Sequence, residues 1–132
     1  MRRQFQLSEA DEAELAARGL GWEAIVEGGT RWLLILEYPI SAPYTVATAT
    51  VALRLDPSYP STQIDMAYFH PALAAKDGRA IRQLSLLQLD GRQFQQWSRH
   101  RTAQNPWRPG EDDLSTHLIL IDDWLRREFE RQ

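Results

Sequence analysis

The sequence has no cysteine at any of its 132 positions. Without a thiol, the chain forms no disulfide, has no thiolate nucleophile and supplies no cysteine ligand to zinc. An excess of basic residues is also missing, because 15 lysines and arginines and 18 acidic residues leave a net charge of −3. This balance argues against a nucleic acid or an anionic membrane as the partner.

Long apolar runs are absent as well. A run such as Trp32–Leu36 is far shorter than the roughly 20 residues that span a bilayer. No apolar core follows Arg2 and Arg3, so we expect no signal peptide and a cytoplasmic location. The length fits a single domain over residues 1–132, large enough to fold without a metal or a disulfide.

The first predicted element is a helix over Ser8–Arg18. Ser8 is a suitable N-cap, Asp11 has capping-box spacing, and Gly19 lies where a C-cap glycine is expected. Alternating apolar and polar residues then predict strands, with a tight hairpin at Gly28-Gly29. We expect a four-stranded antiparallel meander with strands at Trp22–Glu27, Arg31–Tyr38, Tyr44–Leu55 and Gln63–Phe69.

The stretch Pro71–Gly91 carries turn signals but no clean period, and we predict that it is mostly irregular. Phe94 and Trp97 are three residues apart, which suits a short helical turn packed on the sheet.

The C-terminal segment predicts an amphipathic helix. Its N-terminal end carries Glu111–Asp113 and its C-terminal end carries Arg126, Arg127 and Arg131, which suits the helix dipole. The apolar stripe consists of Leu114, Leu118, Ile121, Leu125 and Phe129.

Several short motifs appear in a specific order along this pattern. Together they resemble prokaryotic ubiquitin-conjugating-like family E, within the ubiquitin-conjugating enzyme superfamily. The motifs are Gly28-Gly29, Pro57-Ser58-Tyr59-Pro60, Asp65-Met66, His70-Pro71, Asp77-Gly78-Arg79, Trp97-Ser98-Arg99-His100 and Trp107-Arg108-Pro109-Gly110 with Asp113-Leu114.

The resemblance implies an α+β fold of the ubiquitin-conjugating type, with an N-terminal helix, the meander, an irregular active-site-like segment and a C-terminal helix. It also implies a bacterial modification pathway, with a role in antiphage defence. The implied partners are a ubiquitin-activating-like enzyme, a ubiquitin-like or multi-ubiquitin protein and a deconjugating metallopeptidase. By the same resemblance, the exposed face of Ser8–Arg18 would dock on the activating enzyme. No cofactor is implied.

Two departures from the family pattern bear on chemistry. Ala72 stands where the His-Pro-Asn motif has asparagine, the residue that helps stabilise an oxyanion. The catalytic cysteine expected within Asp77–Leu87 is missing, so this chain cannot form a thioester through a cysteine of its own.

Ser98, Arg99 and His100 form the strongest candidate site. A hydroxyl near an imidazole can act as a nucleophile, and an arginine can steady an oxyanion or a carboxylate. The product would be an oxyester to the modifier's C-terminal glycine. The alternative is structural: Arg99 and His100 cap a turn and bond backbone carbonyls, while Ser98 caps locally.

Other polar residues are weaker candidates. Ser85 lies near the expected cysteine position but has no base beside it. We predict that His70 is structural and bonds backbone, and that His117 belongs to the last helix. The three histidines lack metal-ligand spacing, so we expect no metal site. Asp77-Gly78-Arg79 is either a plain turn or a charged loop facing a partner.

Three functional hypotheses remain open. The chain is a transferase that uses Ser98, a non-catalytic module that binds the modifier or the activating enzyme, or a structural adaptor without contact to the modifier.

Overall fold

A computed structural model describes residues 1–130, and Arg131 of the predicted basic helix end lies outside them. The described chain is α+β, with a helix near each end and an antiparallel sheet between them, as predicted. Its elements are α1 (Glu9–Ala17), β1 (Trp22–Glu27), β2 (Thr30–Pro39), β3 (Thr48–Leu55), β4 (Ala67–His70), β5 (Leu84–Leu89), β6 (Arg92–Trp97) and α2 (Leu114–Arg127).

The sheet has six strands in the order β1-β2-β3-β4-β6-β5, and every neighbouring pair is antiparallel. Strands β1 to β4 form the predicted meander. The third strand begins at Thr48 rather than Tyr44, and the fourth covers only Ala67–His70. The predicted number of four strands is wrong, because β5 and β6 form an additional hairpin.

This hairpin corrects two predictions. Leu84–Leu89 is a strand rather than irregular chain, and Phe94 and Trp97 lie on β6 rather than on a helical turn. Because side chains alternate across a strand, residues three apart point to opposite faces. Asp90 and Gly91 form the turn, with φ angles of 53° and 71° that suit a two-residue hairpin loop.

Apolar side chains cover both faces of the sheet. The larger core joins one face to α1 and α2 through residues such as Leu15, Leu33 and Leu118. A smaller cluster on the other face includes Trp32, Leu34 and Phe94. The second strand is therefore covered on both faces.

The predicted helix ends are also confirmed. The Ser8 hydroxyl accepts a hydrogen bond from the Asp11 amide at 3.1 Å, and Gly19 follows α1 with a φ of 70°. Helix α2 has a capping box in which Asp113 is the N-cap and Thr116 bonds back to it. The predicted stripe from Leu114 to Phe129 is buried.

Two of the quoted motifs contact each other directly. Trp107 donates its indole N–H to the Pro60 carbonyl at 2.9 Å. The Tyr59 hydroxyl donates to Asp11 of α1 and accepts from the Leu114 amide at the start of α2, both at 2.7 Å. These turns therefore act as scaffold that joins the two helices to the sheet.

Candidate functional site

The segment Ser98–His100 leaves the sheet at the end of β6. The Ser98 amide donates to the Gln83 carbonyl at 3.1 Å, which continues the ladder between β5 and β6 by one residue. The Arg99 amide then donates to the Trp97 carbonyl at 2.9 Å. A bond between residues two apart is a γ-turn, so Ser98 lies at the corner where the chain turns out of the sheet.

His100 is exposed and contacts Asp65. Its Nδ1 lies 2.9 Å from Oδ1 and 3.1 Å from Oδ2 of that carboxylate. A carboxylate that accepts from Nδ1 fixes the imidazole tautomer in which Nε2 is the proton acceptor. Asp65 therefore joins the candidate site, whereas the sequence pointed to it only as part of the Asp65-Met66 motif. The structure thus gives His100 the orienting partner that a general base requires.

Arg99 lies largely buried between an aromatic ring and a carboxylate. Its Nη2 donates to Glu128 Oε1 at 2.6 Å, and its guanidinium carbon stands 4.7 Å from the centre of the Trp97 ring. Weaker contacts at 3.4 Å join Nη1 to the carbonyls of Gln83 and Ser98. The Arg99 guanidinium is therefore paired with Glu128, and the side chain holds the Ser98 corner in place.

The three predicted site residues are neighbours but are not joined by one hydrogen-bond network. Within residues 1–130, the Ser98 hydroxyl forms no hydrogen bond to His100 or Arg99. Catalytic hydrogen bonds are often long or absent before substrate binds. The arrangement supplies a half-buried hydroxyl, an oriented base and a cation in adjacent positions.

The other candidates lie on the hairpin or close to it. Ser85 stands in the middle of β5 opposite Gln96. His70 places Nδ1 2.9 Å from the Gln93 carbonyl oxygen, which confirms its predicted backbone contact. Ala72 is exposed beyond His70 and offers no polar side chain.

Asp77-Gly78-Arg79 forms a turn. Asp77 accepts from the Arg79 amide at 3.0 Å and from its Nε at 2.8 Å. The Arg79 guanidinium lies over the Phe129 ring, with 4.6 Å between its central carbon and the ring centre. This cation therefore packs against the end of the C-terminal segment, in agreement with the plain-turn interpretation.

His117 is the third histidine, and it is buried on α2. Its Nε2 lies 2.9 Å from the Met66 carbonyl oxygen. Burial lowers the pKa of His117 from 6.5 to about 4, so the ring is neutral at physiological pH. A neutral, buried imidazole bonded to backbone has a structural role here.

The comparisons with known proteins bear on these observations. The family model for prokaryotic E2 family E matches residues 7–128. The chain belongs to this family. The match spans α1, the whole sheet and α2, and it includes Asp65 and Ser98–His100. No curated protein and no solved structure matched the chain.

Membership of this E2 family is the resemblance expected from the motifs, and it indicates a conjugating-enzyme-like role. In the described part of the chain, neither helix is long and apolar enough to pass through a bilayer.

Proposed function

We propose that the protein works in a bacterial ubiquitin-like modification pathway and accepts the modifier from an activating enzyme on Ser98, as an oxyester. The contact between His100 and Asp65, beside Ser98, carries the proposal. A chain of an E2 family that lacks cysteine needs another nucleophile, and an oriented imidazole is the partner that activates a hydroxyl.

The step balances as an acyl transfer. Ser98 Oγ forms a bond to the carbonyl carbon of the modifier's activated C-terminal glycine, and the bond from that carbon to its leaving group breaks. The Ser98 proton passes to Nε2 of His100 and from there to the leaving group. Asp65 keeps Nδ1 protonated and stabilises the imidazolium that forms during transfer.

Arg99 has two tasks in this proposal. In the resting state its contact with Glu128 fixes the corner at Ser98. Its guanidinium has further donors, and one of them would steady the negative oxygen that develops on the glycine carbonyl. The exposed side of α1 is the proposed docking surface for the activating enzyme, and a metallopeptidase would remove the modifier later.

The decisive experiment mixes the protein with the activating enzyme, ATP and the modifier, and measures intact mass. We expect an adduct that survives reductant, is cleaved by mild base and is lost in Ser98→Ala. Ser85→Ala is the matched control, because it removes a hydroxyl from the same hairpin and should keep the adduct.

Asp65→Asn tests the orienting role. It should lower the rate of adduct formation by about a hundredfold or more, because the imidazole loses its fixed tautomer. An adduct that persists in Ser98→Ala would refute the assignment of the nucleophile. Binding of the modifier without any adduct would assign the protein to the non-catalytic class, a module that only presents the modifier.

A further inference from the structure

The two edges of the sheet differ in how they are covered. Residues 2–4 lie along the outer side of β1: the Ala24 amide donates to the Arg2 carbonyl, and the Gln4 amide donates to the Ala24 carbonyl. The Gln4 side chain accepts from the next outward amide of this strand, that of Val26, at 2.7 Å. The chain therefore satisfies the hydrogen-bonding groups of the β1 edge with its own N-terminal residues.

The β5 edge has no such cover in residues 1–130. Because the Gln83 carbonyl bonds the Ser98 amide, odd-numbered residues of β5 face β6 across the antiparallel ladder. The amides and carbonyls of Leu84, Leu86 and Gln88 consequently point outward, away from the sheet. Unpaired outward groups on an edge strand are a template for another extended chain.

The side chains of this edge fit an apolar partner. Strand β5 reads Leu-Ser-Leu-Leu-Gln-Leu, without a charge or a proline to block pairing. Leu84 and Leu86 share one face and remain 37% and 64% exposed. An added strand with aliphatic residues at alternate positions would bury both leucines.

Charges at the two ends of β5 set the direction of the partner. Arg82 precedes the strand and is exposed. Its amide donates to Glu128 Oε2 at 3.3 Å, whereas its guanidinium has no hydrogen-bond or ion-pair partner within residues 1–130. At the opposite end, Asp90 pairs with Arg2 at 2.7 Å and with Arg92 at 3.7 Å. Because the cations of that end already have a carboxylate, a C-terminal carboxylate fits better at the Arg82 end, and a chain that ends there runs antiparallel to β5.

We propose that the β5 edge binds the extended C-terminal tail of a polypeptide, antiparallel to β5, with its terminal carboxylate on Arg82. Ser98 lies at this same end of the hairpin, since its amide bonds Gln83. That the tail belongs to the modifier rests on the function proposed above. The binding site itself rests only on the edge, the leucines and Arg82.

The probe is the peptide acetyl-Thr-Val-Leu-Val-Gly with a free carboxylate, compared with its C-terminal amide. On the wild-type protein, we expect amide hydrogen exchange to slow at Leu84, Leu86 and Gln88 when the peptide binds. Exchange at Ser85 and Leu87 should not change, because their inward amides already bond β6. The carboxylate form should bind at least about tenfold tighter than the amide form, since it gains a charge-assisted bond.

Two pairs of variants sharpen the test. Leu86→Pro removes an outward N–H and should weaken binding by about fivefold or more, whereas Leu86→Ala keeps this N–H and should cost less. Arg82→Gln should lower the affinity for the carboxylate peptide to that for the amide peptide. Arg92→Gln, at the far end of β5, should leave the affinity for the carboxylate peptide unchanged. Circular dichroism verifies that each variant is folded.

The proposal is overturned if amide exchange slows equally at the outward and inward residues of β5, or if the C-terminal amide peptide binds as tightly as the carboxylate peptide. It is also overturned if the wild-type protein is a dimer through the β5 edge and Leu86→Pro dissociates this dimer. The peptide assay needs no activating enzyme, and Ser98→Ala should bind the peptide unchanged. Peptide binding without any adduct would therefore contradict only the oxyester, and an adduct without peptide binding would contradict only the β5 site.

Discussion

Removing the hydroxyl of Tyr59 is the most direct test of the turns that join the two helices to the sheet. It donates to Oδ2 of Asp11, a carboxylate in a residue only 2% exposed, and accepts from the Leu114 amide. Tyr59→Phe removes the hydroxyl and both of its hydrogen bonds, while the Asp11 carboxylate keeps its contacts with the Ser8 side chain and the Leu114 amide. The lost bond to a buried carboxylate costs about 1.5–3 kcal/mol, and the lost bond to the amide adds about 1 kcal/mol. We therefore expect a loss of about 3 kcal/mol, or roughly 10 °C in melting temperature.

The size of this effect should depend on pH. Burial raises the pKa of Asp11 above its ordinary 3.8, and the bond from Tyr59 opposes this rise. A raised carboxyl pKa means that stability falls as the pH rises through the folded-state pKa. Removing the bond raises this pKa further. The cost of Tyr59→Phe should therefore be largest at neutral pH and decline once Asp11 is protonated.

Urea unfolding at several pH values measures both effects. Tyr68→Phe is the matched control, because Tyr68 is also buried but its hydroxyl has no hydrogen bond within residues 1–130. It should cost less than about 1 kcal/mol. Equal losses in the two variants, or a Tyr59→Phe loss that does not change with pH, would refute the proposed bridge between α1 and α2.

Three other hydrogen-bonded side chains give further predictions. The pKa of His117 is lowered from 6.5 to about 4, so the free energy of unfolding should fall by about 3 kcal/mol as the pH falls from 6.5 towards 4. Urea midpoints measured across this pH range should show the loss, and His117→Gln should remove most of this pH dependence. Gln95→Leu should lower the free energy of unfolding in urea by about 3 kcal/mol or more, because three hydrogen bonds of the Gln95 side chain disappear. Gln96→Leu is the control and should lower it far less. Trp107→Phe should cost about 1 kcal/mol by the same measurement, because the indole bond to a backbone carbonyl is lost; no measurable change would show that the two motifs do not support each other.

The hairpin of β5 and β6 shows why part of the fold was not predictable. Leu84 and Leu86 are apolar yet exposed, so burial does not follow the hydrophobic pattern on this edge strand. Gln95 is polar yet buried, because it bonds the amide and carbonyl of Leu73, 22 residues away. Periodicity assumes that apolar residues face inward, and both strands break that assumption for reasons that lie outside their own sequence.

Part of the candidate site was likewise predictable from the sequence, and part was not. The sequence placed Ser98, Arg99 and His100 side by side because they are consecutive. It did not place Asp65, which is 35 residues from His100, or Glu128, which is 29 residues from Arg99. Local spacing cannot predict such partners, because the fold of the sheet and the position of α2 bring them together.

The sequence by itself determined that this chain has no thiol and therefore forms no thioester of its own. It also determined α1, α2 and the first strands, whose caps, turns and periods are local properties of the chain. Only the tertiary structure decided that His100 has an orienting carboxylate, that Arg99 is paired with Glu128, and that β5 has an open edge within residues 1–130. These depend on which distant segments meet, because the partners of a side chain and the free edge of a strand are set by neighbours in space.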